Sequence, residues 1–133
     1  MITVDTNILV RYAVKDDRKQ AIKATNFLKN NPSRILKTVL LELAWVLSSS
    51  AGYNLSRVVV AERIRHLCGL PTIEVEDVES VAQAVIWYEQ GMDFADALHL
   101  ASSSEISGFV TFDRQLSKKA TKLATQQKVT LLV

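Results

Sequence analysis

Short apolar runs alternate along the chain with longer stretches in which apolar residues recur every three or four positions. Runs of the first kind predict strands, and the longer spacing predicts helices. The predicted strands lie at 2–4, 34–37, 72–75, 109–112 and 129–133. The predicted helices lie at 8–14, 39–50 and 94–106, with four more that begin near Asp16-Asp17, Ser56, Glu76 and Asp113. This alternation indicates an α/β fold, a mostly parallel sheet covered by helices on both faces.

The chain is long enough for one independent domain. It has 133 residues, of which 48% are hydrophobic and 23% charged, so it carries enough apolar material for its own core. With 4 Gly, 2 Pro, no low-complexity tract and no internal repeat, it offers no obvious linker. We therefore expect a single domain over residues 1–133.

Cysteine use and hydropathy bear on the compartment. Cys68 is the only cysteine, so an intrachain disulfide is excluded and an oxidising compartment is not implied. The N-terminus enters a predicted strand at once, unlike a signal peptide, and no apolar run approaches the roughly 18 residues that span a bilayer. We expect a cytoplasmic protein that does not use a membrane. The net charge of +2 neither requires nor excludes nucleic acid.

Four carboxylates occupy positions that composition alone does not explain. Asp5 and Asp113 each directly follow a predicted strand, Glu42 is the only charged residue of a long apolar helix, and Asp96 lies in a helix rich in small residues. Ligands of open α/β folds bind at the carboxyl edge of the sheet. We therefore expect these acids to gather at that edge.

Each acid also has a simpler structural explanation. Asp5 suits a turn, and Asp113 suits the N-cap of the helix that follows it. Asp93 and Asp96 together resemble a capping box, and Glu42 would fall in the first turn of its predicted helix, where the dipole favours a negative charge. These roles explain the acids one at a time, but not why all four lie at ends or first turns that a parallel sheet brings to one edge.

Crowded carboxylates repel one another and are tolerated when a cation neutralises them. Mg²⁺ and Mn²⁺ prefer oxygen ligands, and the chain offers no cluster of Cys or His for zinc. Such ions activate water and stabilise charge on attacking and leaving oxygens. The acids therefore predict metal-assisted phosphodiester hydrolysis as the reaction class.

Four segments, in order, carry a resemblance to a known family. They are Val4-Asp5-Thr6-Asn7-Ile8-Leu9, Leu41-Glu42-Leu43, Asp93-Phe94-Ala95-Asp96-Ala97-Leu98-His99-Leu100-Ala101 and Thr111-Phe112-Asp113-Arg114. Together they resemble the signature of PIN-domain nucleases, and most of all the VapC-type toxins of bacterial and archaeal toxin–antitoxin pairs. The resemblance spans residues 1 to 113, and it rests on the four segments together, since each alone is common.

The resemblance implies a three-layer α/β fold with a five-stranded parallel sheet of order 3-2-1-4-5 and about seven helices. That order would place the ends of the first and fourth strands side by side, and with them Asp5 and Asp113. It also implies one or two Mg²⁺ or Mn²⁺ ions. The implied catalytic and metal-binding residues are Asp5, Glu42, Asp96 and Asp113, supported by Thr111, Asn7 and Asp93.

The resemblance further implies an RNA substrate, a homodimer, and inhibition by a small antitoxin whose C-terminal segment lies across the site. Arg11 and Arg114 could contact a substrate phosphate or an antitoxin carboxylate, with surface salt bridges as the alternative. A basic helix face could follow an RNA backbone, or simply be solvated. Its members are Lys118, Lys119 and Lys122.

Other residues that could carry chemistry have simpler interpretations. His99, three residues after Asp96, is expected to be a packed core residue rather than a general base. Trp45, Trp87 and Tyr88 are expected in the core or at a dimer contact rather than as base-stacking platforms. Cys68 is expected to be an inert, packed thiol.

Three functions remain open from the sequence. The first is a metal-dependent, single-strand RNA endonuclease, the toxin of a type II, VapBC-like pair. The second is a non-catalytic module whose acids hold a cation or a basic partner. The third is a DNA nuclease or an RNA-maturation enzyme with the same fold. Degradation of RNA in the presence of Mn²⁺ separates the first from the second, and no sequence feature decides between RNA and DNA.

Overall fold

The computed structural model describes residues 1–104, 106–124 and 126–133. The chain divides into two compact units, Met1–Glu76 and Asp77–Val133. Each unit has its own parallel sheet and its own buried residues. The single-domain organisation of residues 1–133 stays a prediction.

The first unit contains three strands and four helices. They are β1 (Ile2–Thr3), α1 (Thr6–Val14), α2 (Arg18–Asn30), β2 (Ser33–Ile35), α3 (Lys37–Ser48), α4 (Arg57–Cys68) and β3 (Ile73–Val75). The strands are parallel in the order β1-β2-β3, with Ile2 opposite Ser33 and Ser33 opposite Ile73. This agrees with the 3-2-1 part of the expected order.

The core of the first unit lies where its helices pack together. α1 contacts α2, α3 and α4, and α3 also contacts α4. The large side chains buried there include Leu9, Leu28, Leu40, Leu43, Leu47, Ile64 and Leu67. Their spacing of three or four residues within each helix is the amphipathic pattern from which the helices were predicted.

The N-caps of α2 and α4 in the first unit are the predicted ones, whereas that of α3 is not. Asp17 accepts a bond from the Gln20 backbone N–H, and Ser56 from the Val59 N–H. The predicted cap of α3, Thr38, is wrong because the helix already begins at Lys37. The physical reason is long-range: the Glu76 carboxylate accepts the Lys37 backbone N–H at 2.9 Å, which satisfies a helix-start donor without a local cap.

The second unit contains, among its described residues, three helices and two strands. They are α5 (Val78–Glu89), α6 (Phe94–Ser102), β4 (Phe109–Thr111), α7 (Arg114–Leu123) and β5 (Val129–Leu131). β4 and β5 are parallel, with Phe109 opposite Val129. α5 packs on α6, and Tyr88 meets Phe94 edge-to-face with ring centroids 5.7 Å apart. Small residues allow this close approach: Ala97 and Ala101 are buried, and the Ser80 hydroxyl donates to the Ala101 carbonyl.

The sheet departs from the expected five strands in order 3-2-1-4-5. The described strands form one sheet of three and one of two, so the orders 3-2-1 and 4-5 occur, but no pairing of β1 with β4 joins them among the described residues. β1 has only two residues, both exposed, and so offers few backbone groups for a second ladder. The expected number of helices, seven, is found in the described part of the chain.

Some predicted boundaries also shift. α6 ends at Ser102 rather than at residue 106, and residue 105 of the predicted span lies outside the described residues. None of the helices in the described ranges is long and apolar enough to cross a bilayer. Trp87 and Tyr88 are buried as predicted, whereas Trp45 is 62% exposed and so is not a core residue of this chain.

The contrast between Leu43 and Trp45, on one helix, gives a test of the fold. Leu43→Ala should lower the free energy of unfolding by about 2–5 kcal/mol, because it leaves a cavity in the core. Trp45→Ala should change it by about 0.5 kcal/mol or less, because its indole is exposed. Urea denaturation of both variants beside the wild type measures the difference. A loss at Trp45 as large as that at Leu43 would contradict the exposure of the indole.

Candidate functional site

Asp5 lies where β1 gives way to α1. It is the N-cap of α1 in an extended conformation, and its Oδ1 accepts the backbone N–H of Thr6 at 2.7 Å. Val4 before it and Thr6 after it are buried, while Asp5 and Asn7 are exposed. The local sequence therefore holds the carboxylate at the surface, at the carboxyl end of a parallel strand.

Glu42 lies on the helix that follows the neighbouring strand. Because β1 and β2 are parallel, with Thr3 opposite Arg34, α1 and α3 both start from the same edge of the sheet. Glu42 is exposed, between the buried side chains of Leu40 and Leu43. It is the sixth residue of α3, so the prediction that it falls in the first turn is wrong, and the first-turn explanation of its charge does not apply.

Asp93 and Asp96 share the start of α6. Asp93 is the N-cap as predicted, and its Oδ2 accepts the Asp96 backbone N–H at 3.1 Å. Asp93 is exposed, whereas Asp96 is half-buried. The cap of α6 thus places a second carboxylate, that of Asp96, one turn into the helix and partly out of water.

Asp113 lies where β4 gives way to α7. Its Oδ1 accepts the backbone N–H groups of Gln115 and Leu116 at 2.9 and 3.1 Å, so it is the predicted N-cap. The hydroxyl of Thr111 accepts the Asp113 N–H at 2.9 Å. Thr111 therefore holds the backbone that carries Asp113, and its supporting role in a site stays a prediction.

The charges of the second unit's acids act on one another. Burial raises the pKa of Asp96 above its ordinary value of 3.8, and the negative charges of Asp93 and Asp113 raise it further, while His99 opposes them. The charges of Asp93 and Asp113 therefore act on Asp96 within the second unit. Asp5 and Glu42 belong to the other unit, at the N-cap of α1 and in the second turn of α3.

The donor chemistry of these residues fits a hard cation. All offer carboxylate oxygen, which Mg²⁺ and Mn²⁺ prefer, and a cation would relieve the repulsion that acts on Asp96. In the described part of the chain, no three Asp, Glu, His or Cys side chains form a group that could enclose a metal by themselves. The side-by-side placement of Asp5 and Asp113 stays a prediction, because the two acids belong to different units.

The two arginines predicted to contact the substrate, Arg11 and Arg114, differ in their surroundings. Arg11 donates to Asp16 at 3.1 Å and lies 3.4 Å from the Tyr53 hydroxyl, so it forms a surface salt bridge, and its contact with a substrate or antitoxin stays a prediction. Tyr53 in turn donates to Asp16, and this bond, with the charge of Arg11, lowers the pKa of Asp16. Arg114 is exposed at the first position of α7, and among the described residues it has no ion-pair partner.

The predictions for His99 and Cys68 differ in outcome. The prediction that His99 is a packed core residue is wrong, because His99 is exposed on α6 while its neighbours Leu98 and Leu100 are buried. Cys68 is half-buried, and burial raises the pKa of its thiol to about 11, in agreement with an inert thiol.

Two cavities among the described residues are lined by residues other than the candidate acids. The larger, in the second unit, has a volume of about 700 Å³ and is lined by residues including Gln83, Trp87 and Gln127. The other, in the first unit, lies between α1 and α2 near Lys15 and Ile22. None of the predicted site acids lines either of these two cavities.

The raised pKa of Asp96 predicts how stability depends on pH without metal. The folded state binds the proton of the Asp96 carboxyl more tightly than the unfolded state does. Protonation of Asp96 therefore stabilises the fold below pH 3.8, and this stabilisation is lost as the pH rises through the raised pKa of Asp96. Asp96→Asn should therefore raise the melting temperature at pH 7, and the gain should shrink as the pH falls toward 3.8. Thermal melts of both proteins across this range, in EDTA, measure it. A gain that does not change with pH would contradict this cause.

The sequence matches the model of a known protein family. The model of the PIN domain matches residues 2–122, which include all the candidate acids. The comparison with curated proteins gave no match. PIN domains are generally nucleases and typically bind divalent metals. Since the match covers most of the 133 residues, the chain belongs to the PIN domain family.

Proposed function

We propose that the protein is a metal-dependent endonuclease that hydrolyses phosphodiester bonds in single-stranded RNA. The observation that carries the proposal is the placement of carboxylates at helix starts, where Asp93 and Asp113 cap α6 and α7 and Asp96 is half-buried in the first turn of α6. Burial and the charges of Asp93 and Asp113 raise the pKa of Asp96. In a member of the PIN domain family, acids in these positions support a cation site in addition to their capping role. Capping alone does not account for the half-buried carboxylate of Asp96, which caps no helix.

Asp5, Glu42, Asp96 and Asp113 are the proposed ligands of one or two Mg²⁺ or Mn²⁺ ions. Asp5 and Asp113 accept backbone N–H groups through Oδ1 alone among the described hydrogen bonds, which leaves Oδ2 of each for another partner. The cap also fixes the carboxylate before any ligand binds, so less side-chain freedom is lost on binding. When bound, the metal would supply an activated water and stabilise charge on the phosphate oxygens.

The surface of α7 supports a polyanionic substrate. Arg114 lies next to Asp113, and Lys118 and Lys122 are exposed on the same helix. Cations beside an acidic site can hold the phosphates of the backbone, while the acids take part in the reaction. RNA, rather than DNA, is proposed from the resemblance to VapC-type nucleases.

The biological role that we propose is that of the toxin in a type II, VapBC-like toxin–antitoxin pair, cytoplasmic and homodimeric. The four motif segments support it, since their spacing resembles that of VapC-type toxins. The exposed indole of Trp45 supports a protein interface, because exposed aromatic side chains are enriched at such surfaces. Arg114 is the proposed contact for a carboxylate of the antitoxin.

Substitutions that keep the caps test the catalytic acids. Asn caps a helix as well as Asp does, so Asp5→Asn and Asp113→Asn should keep the fold. Each should lower the rate of Mn²⁺-dependent cleavage of a fluorescent single-stranded RNA by about 100-fold or more, since even residues that only support metal ligands contribute 10–100-fold. Asp17→Asn, at the N-cap of α2 and outside the proposed site, is the matched control and should cleave like the wild type.

The same assay decides between the remaining functions. Cleavage by the wild type that is equal with and without EDTA would show the metal mechanism to be wrong. A melting temperature raised by Mn²⁺, without cleavage of RNA or DNA, would favour a non-catalytic module. Cleavage of single-stranded DNA but not RNA would favour the DNA nuclease.

A further inference from the structure

Lys119 differs from the other lysines of α7. Lys118 and Lys122 are exposed, whereas Lys119 is half-buried, and its Nζ donates to the backbone carbonyl of Gly91 at 2.8 Å. The basic helix face expected from the sequence is therefore divided. Two of its ammonium groups face solvent, and the third is used inside the second unit.

The turn that receives this bond leads directly to the acids of α6. Gly91 precedes the N-cap Asp93 by two residues and has φ of +117°, a conformation that suits glycine. Its N–H donates to the Tyr88 carbonyl, and the next residue, Met92, is 1% exposed. The turn is thus fixed by its own chain from one side and by Lys119 from the other.

The helix that provides the bond begins at another of the acids. Asp113 caps α7, and Lys119 follows it by six residues, about 9 Å along the helix at 1.5 Å per residue. Both residues belong to one continuous helix and its N-cap. The bond from Lys119 to Gly91 therefore joins the element that carries Asp113 to the element that carries Asp93 and Asp96.

We propose that Lys119 is a positioning residue, which holds Asp113 at a set separation from Asp93 and Asp96 and so sets the affinity of these acids for a divalent cation. The effect on cation affinity rests on the proposed function, because that function supplies the metal. The bond that joins α7 to the Gly91 turn does not depend on it. It assigns to Lys119 a role other than contact with RNA, because its ammonium donates to a carbonyl within the unit.

Removing Lys119 has two effects of opposite sign on a cation site. Loss of one positive charge near the acids, by itself, strengthens the binding of a cation. Loss of the joint lets the acids separate and weakens that binding. Lys118 and Lys122 carry the same charge on the same helix without the bond to Gly91, so their removal measures the effect of charge alone.

The experiment compares Lys119→Met with Lys118→Met, Lys122→Met and Lys119→Arg, in the full chain. Free Mn²⁺ is measured by electron paramagnetic resonance. Lys119→Met should weaken Mn²⁺ binding by about 10-fold, the lower end for residues that orient metal ligands. Lys118→Met and Lys122→Met should bind Mn²⁺ as tightly as the wild type or more tightly. Lys119→Arg should restore most of the affinity, because the guanidinium can also donate to the Gly91 carbonyl.

RNA kinetics separate positioning from contact with the substrate. Lys119→Met should lower kcat at saturating Mn²⁺ and leave KM close to that of the wild type. Lys118→Met and Lys122→Met should instead raise KM and reduce its dependence on salt. A rise in KM alone for Lys119→Met, equal to that of its neighbours, would make it another contact with RNA and overturn the positioning role.

Hydrogen exchange gives a readout that needs neither metal nor activity. Lys119→Met should speed exchange of the Gly91 and Met92 amides, which donate to Tyr88 and Trp87, more than exchange of the α2 amides. If the wild type binds no Mn²⁺ and cleaves no RNA, the proposed function fails, and the effect of Lys119 on cation affinity fails with it. Faster exchange in Lys119→Met would then support only the joint between α7 and the Gly91 turn. Unchanged exchange at the turn, or Mn²⁺ affinity no weaker than in Lys118→Met, overturns the inference.

Discussion

The structure depends on carboxylates that cap helices. Asp5, Asp93 and Asp113 each accept backbone N–H groups at the first turn of a helix, where four donors have no partner within the helix. The positive end of the helix dipole also favours a negative charge there. Capping therefore stabilises the ends that carry the acids and, at the same time, fixes the orientation of the acids. The structural and chemical explanations of these residues are thus two uses of the same geometry.

This arrangement has a cost at Asp96. Its carboxyl is half-buried, and burial and the charges of Asp93 and Asp113 raise its pKa. An uncharged side chain at this position would avoid that electrostatic cost. Unfavourable electrostatics of this kind are expected at sites where a bound ligand offsets them. We propose that a divalent cation is that ligand.

Hydrogen bonds between residues far apart in the chain add to the local caps. Glu76 supplies the acceptor at the start of α3, and Lys119 supplies the donor that joins α7 to the Gly91 turn. Both are charged residues which, in the sequence, look like ordinary surface side chains. The α3 contact explains why Glu42 lies in the second turn of its helix, and the α7 contact explains why one lysine of three is half-buried.

The sequence by itself determined the alternation of strands and helices, the caps at Asp17, Ser56, Asp93 and Asp113, and the candidate acids, because these features depend on neighbours within about four residues. Tertiary structure decided the rest. The start of α3, the exposure of Trp45 and His99, the bond of Lys119 and the division into sheets of three and two strands all depend on partners remote in sequence. The pattern of one helix shows which side is apolar, but not which remote group satisfies its end or covers its surface.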